Sequence, residues 1–102
     1  MQKLCTSARE MRKRFDARMA EKLQQRLAEL DAAETLEIMR TIPGARCHEL
    51  SGDRKGQLAV DLVHPRRLIF EPDHDPRPLK PDGGLDWGQV TSIVVLETVN
   101  YH

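Results

Sequence analysis

The chain has 102 residues, 39% hydrophobic and 4% aromatic, so it fits one domain whose modest core must be aliphatic. Sixteen basic residues balance 16 acidic ones, which excludes a globally basic nucleic-acid-binding surface and leaves room only for a local patch. Residues 1–70 carry 14 basic and 10 acidic side chains, residues 71–102 carry 2 and 6, so any polyanion-binding patch belongs to the first two thirds.

Residues 4–30 read as helix. Leu4, Ala8, Met11, Phe15, Met19, Leu23, Leu27 and Leu30 recur every three or four positions and form one apolar stripe. Arg9, Arg12, Lys13, Arg14, Arg18, Lys22 and Arg26 are assigned to the opposite face, which reads as solvated or as a surface for docking on rRNA. A single helix of that length would span ~40 Å, too long for so small a domain. The pattern therefore predicts a helical hairpin that breaks near Arg14–Asp16, with Asp16 as N-cap of its second helix. Residues 34–40 predict a short helical turn, stopped by Pro43 and Gly44.

From residue 45 the pattern changes to strands. Residues 45–50 and 57–63 flank the turn Ser51-Gly52-Asp53-Arg54-Lys55-Gly56 and predict a hairpin. A third strand follows over 66–71, with Leu68 and Phe70 on one face and Arg67 and Ile69 on the other. Residues 72–88 hold four prolines and three glycines and read as a long, mobile acidic loop, with Leu85 and Trp87 tucking it onto the sheet. Residues 92–99 are apolar enough for a central strand. Helices over 1–42 followed by a mostly antiparallel sheet over 45–102 define one α+β domain.

Cys5 and Cys47 have no ligand spacing with each other or with the histidines, and two cysteines are too few for a disulfide framework. No metal or other cofactor is expected. The opening residues lack a signal peptide's apolar run, and no stretch approaches the ~20 apolar residues of a membrane span. The expected location is the cytoplasm.

Three pieces together carry a family likeness: the segment from Arg46 through His48, Leu50 and Asp53-Arg54 to Gln57, the strand around Arg66-Arg67, and the ending Asn100-Tyr101-His102. With Leu30-Asp31-Ala32-Ala33 closing the helical part, they resemble the plasmid-maintenance killer (HigB) branch of the RelE-like toxins of type II toxin–antitoxin systems. The resemblance covers nearly the whole chain outside 72–88. It implies a helical hairpin on a small antiparallel sheet and ribosome-dependent cleavage of mRNA. It also implies a cognate helix-turn-helix antitoxin as partner, with DNA met only through that complex. The family begins with a strand before the helices, and that strand is expected to be missing here.

The implied chemistry is attack of a 2′-hydroxyl on the neighbouring phosphorus, which needs a base, an acid and positive charge for the phosphorane. His48, Arg67, Tyr101 and His102 fall on family active-site positions. His48 and His102 can move protons near neutral pH, Arg67 presents a fixed fork of donors, and Tyr101 can stack on a base or orient a neighbour. Arg54, Lys55 and Arg66 are assigned to the RNA backbone, with Arg54 alternatively bracing its turn. Ser51 and Asn100 stand where the family often has a lysine and an acidic residue. That loss of charge supports a second reading, a catalytically degenerate module that binds an antitoxin-like partner. A third reading is the gyrase-poisoning ParE branch, against which the Tyr-His ending speaks.

Overall fold

The computed structural model describes residues 1–6 and 15–100. Five strands form one sheet: β1 (Lys3–Thr6), β2 (His48–Glu49), β3 (Leu58–Asp61), β4 (Arg66–Pro72) and β5 (Ser92–Asn100), in the spatial order β1-β5-β4-β3-β2. β2, β3, β4 and β5 pair antiparallel in succession, and β1 adds parallel to β5. The sheet is therefore mixed, and β5 is flanked on both sides, as its apolar run predicted.

The strand expected to be missing is present as β1, inside the segment read as helix. Leu4 lies opposite Ile93 and Cys5 opposite Val94. Four residues are too short to show a period of their own, and the i, i+4 step from Leu4 to Ala8 imitates a helical stripe. The expected first helix of the hairpin lies mostly in 7–14, outside the described residues.

The helix α1 (Ala17–Ala32) starts as predicted, with Asp16 Oδ1 accepting from Met19 N at 2.8 Å. Its inner face sets Met19 and Leu30, with Leu23 and Leu27 partly covered, against the sheet residues Leu58, Val60, Leu68, Phe70, Ile93 and Val95. Arg26 does not join the solvated basic face: it is 3% exposed and lies on the stripe 19-23-26-30. The predicted helical turn is a short 3-10 helix (Leu36–Thr41) whose Leu36 and Met39 complete the core.

Residues 73–91 are not a loose loop. Asp73 N donates to Ser92 O at 2.8 Å, and His74 Nε2 accepts from the backbone N–H groups of Thr91 and Ser92. Arg77 Nη1 donates to Gly56 O at 2.6 Å, Leu79 pairs with Leu85, and Leu85 and Trp87 join the core as predicted. Trp87 Nε1 donates to Glu49 Oε2 at 3.2 Å while the Arg40 guanidinium sits 3.8 Å above the indole. All these anchors lie at the sheet end where β4 finishes and β5 begins. The seven-residue β4 is about 20 Å long at ~3.3 Å per residue, and that length separates this acidic segment from the arginines where β4 starts. No described helix is long and apolar enough to cross a membrane.

Candidate functional site

Strand register decides which side chains share a face, because residues directly opposite in an antiparallel pair point the same way. His48, Ala59, Ile69 and Glu97 form one row across β2, β3, β4 and β5. Asp61, Arg67 and Val99 form the next row. Both rows lie on the face turned away from α1. His48 and Arg67 thus share a face two strands apart, with about 12 Å between their α-carbons by strand geometry.

Arg66 faces the other way. It donates to Thr98 Oγ1 at 3.3 Å and lies over the Phe15 ring at 5.8 Å. Arg54 fills the bracing role: its guanidinium bonds Gln57 Oε1 at 3.0 Å and Glu97 Oε1 at 3.3 Å, tying the 51–56 turn to β5. Lys55 is exposed beside it. Tyr101 and His102 lie outside the described residues; the described chain ends at Asn100, opposite Arg66.

Where β3 ends and β4 begins, a cleft of about 90 Å³ is lined by Arg46, Asp61, His64, Pro65, Arg66 and Arg67. Asp61 is its hub. Its Oδ2 lies 3.7 Å from Arg46 Nε and its Oδ1 3.3 Å from Arg67 Nε. Although Oδ1 is buried, it accepts no well-aligned hydrogen bond from any described residue. The Asp61 backbone is fixed on both sides, by its N–H to Ala45 O at 2.7 Å and its carbonyl from Arg26 Nε at 2.7 Å.

Arg46 is the one described non-glycine residue with positive φ, +49°. Such a backbone is uncommon outside glycine, asparagine and aspartate and has to be held by its surroundings. Here the Arg46 carbonyl sits 2.7 Å from His48 Nδ1. A carbonyl only accepts, so Nδ1 carries the proton and Nε2 keeps its lone pair when the ring is neutral. The His48 ring is thereby set as a base at Nε2.

Neither Arg46 nor Asp61 nor His64 was singled out as a site residue from sequence. Arg46 and Asp61 were read as members of the strands over 45–50 and 57–63, and the contact between them depends on how those segments pair. The neighbouring Cys47 thiol is pushed up to about 12, first by burial, with Glu49 adding to the rise and Arg40 opposing it. It is neither a nucleophile nor a metal ligand at neutral pH in that state. Among the described residues no three His, Cys, Asp or Glu side chains gather as a metal ion requires.

A helix packed on one face of a mixed five-stranded sheet is a fold that this chain shares with a toxin of known structure. The chain is similar in structure to a YoeB/ParE toxin from Agrobacterium tumefaciens, with a TM-score of 0.59 over 98% of this chain and 99% of that one, at 15% sequence identity. No family model and no curated protein matches the sequence.

Proposed function

We propose that this chain is the toxin of a type II toxin–antitoxin pair, of the plasmid-maintenance killer branch, acting in the cytoplasm as a ribosome-dependent endoribonuclease. The observation that carries the reading is the position of Arg67. It shares the sheet face turned away from α1 with His48, whose Nδ1 lies against the Arg46 carbonyl, and it lines an arginine-rich cleft at the β3–β4 turn.

In this reading His48 Nε2 takes the proton of the attacking 2′-hydroxyl, and the Arg67 guanidinium neutralises the crowded phosphorane. His102 gives a proton to the leaving 5′-oxygen, and Tyr101 stacks on or orients the nucleotide. The products are a cyclic phosphate and a 5′-hydroxyl, with no metal in the cycle. A helix-turn-helix antitoxin is the expected partner, and the exposed Lys55 is left to meet the RNA backbone.

Translating ribosomes incubated with the purified chain test this directly. New mRNA ends within the A-site codon are expected, and Arg67→Ala or His102→Ala should abolish both the ends and growth inhibition without unfolding the chain. A well-folded wild-type chain that produces no new ends overturns the proposal. Ser51 and Asn100 favour the second reading, a non-cleaving module; its sign is stable antitoxin binding without toxicity on expression. A gyrase supercoiling assay separates both from a ParE-type activity.

A further inference from the structure

The cleft at the β3–β4 turn has features that phosphate binding alone does not require. Arg46 and Arg67 bring two guanidinium groups to its wall against one carboxylate, with the His64 ring beside them. Such a surplus suits one phosphate group. Arg46 is the cation best placed to move onto a ligand: its side chain is 76% exposed and its contact with Asp61 is long, 3.7 Å. Its left-handed backbone is a conformation that a glycine would hold at lower cost. An arginine kept at such a position, at the mouth of a charged cleft, indicates that its guanidinium is used there.

The second feature is Asp61 Oδ1, a buried acceptor in the cleft wall that lacks a well-aligned donor among the described residues. Arg67 Nε meets the charge of Oδ1 at 3.3 Å without hydrogen-bond alignment, so a ligand hydroxyl that donates to this oxygen gains by completing it. The cleft, about 90 Å³, has room for a small polar group between Arg46, Asp61 and Arg67.

We propose that this cleft is a ribose-phosphate subsite in which Arg46 and Arg67 hold an RNA phosphate and Asp61 Oδ1 accepts the neighbouring 2′-hydroxyl, making Asp61 the residue that distinguishes RNA from DNA. Deoxyribose has no hydroxyl to offer there. The inference rests on the reading that the chain handles RNA, but it concerns binding and does not depend on cleavage.

The test measures fluorescence anisotropy with a labelled single-stranded RNA and its DNA counterpart, about 12 nucleotides each, at about 50 mM salt where phosphate contacts are strong. A gel run on the same samples checks that the RNA is intact. The wild-type chain should bind RNA roughly tenfold more tightly than DNA, the scale of one hydrogen bond to a charged group. Asp61→Ala should bring the two affinities together, and should not weaken DNA binding, because it removes a negative charge. A merely structural role for Asp61 would lower both affinities in parallel. Arg46→Gly relieves the left-handed backbone, so it folds at least as well. It should weaken RNA and DNA alike and reduce the salt slope by about one.

Equal RNA and DNA binding by the wild type, an unchanged preference in Asp61→Ala, or undiminished binding by Arg46→Gly would each overturn the proposal. RNA preference without ribosomal cleavage would sink the nuclease reading and leave this subsite standing. Cleavage with a preference indifferent to Asp61 would do the reverse.

Discussion

Arg26 Nε donates to the backbone carbonyl of Asp61 at 2.7 Å, so a buried arginine of α1 holds the end of the strand that carries the cleft's carboxylate. The same guanidinium pairs with Glu29 Oε1 at 2.8 Å. Its Nη2 also passes 3.4 Å from where a Cβ on Gly44 would lie. Helix, strand end and the turn before β2 therefore meet on one side chain.

Removing that guanidinium should cost more than a surface charge does. Arg26→Met keeps most of the volume but takes the Arg26 donor from the Asp61 carbonyl and from Glu29 Oε1. A loss of about 2–4 kcal/mol is expected, read as a lower urea midpoint at unchanged slope. Gly44→Ala meets no severe contact but must hold φ at +78°, and should cost about 1 kcal/mol.

Trp87 is the sequence's single tryptophan, so its emission reports on the docking of residues 73–91. Trp87→Ala empties a core position and should cost about 3–5 kcal/mol. Trp87→Phe keeps a ring beneath Arg40 but loses the bond to Glu49, and about 1 kcal/mol is expected. Circular dichroism in urea measures both. In the wild type, emission and ellipticity should change together, because the indole is part of the same core.

These anchors show why some of the molecule was legible in the sequence and some was not. The stripe Met19-Leu23-Leu27-Leu30 and the alternation Leu58-Val60 and Leu68-Phe70 face the core as the periodicity required. Arg26 was misplaced because its charge outweighed its position, although it stands on the same i, i+3, i+4 ladder. β1 was missed because its order depends on pairing with Ser92–Val95, a contact about 90 residues distant along the chain. The 73–91 segment looked structureless because its stability comes from side chain to backbone bonds that leave no period. At the site, Arg67 was found through likeness to a family. The cleft around Asp61 needed the register of β2, β3 and β4, which no local pattern encodes.

The start of α1 gives a small, clean test of local reasoning. Asp16 is exposed, and its described side-chain hydrogen bond is the one to Met19 N. Asp16→Ala should cost about 1 kcal/mol, with Asp16→Asn close to wild type because the amide oxygen still caps the helix. Thermal or urea unfolding of the three chains checks the order.

Cys47 ties stability to pH with a definite sign. In the fold its thiol is pushed to about 12 from an ordinary value of 9.0, chiefly because burial disfavours the thiolate. The folded state thus keeps its proton at pH values where the unfolded chain has released it. The stabilising contribution is whole below about pH 9 and disappears progressively as pH climbs toward about 12. Cys47→Ala has no thiol to ionise. Urea midpoints of both chains, measured from neutral pH upward, should run parallel to about pH 9 and then converge, the wild type falling faster. Curves that stay parallel throughout the alkaline range would mean that the Cys47 thiol ionises as easily in the folded chain as in the unfolded one.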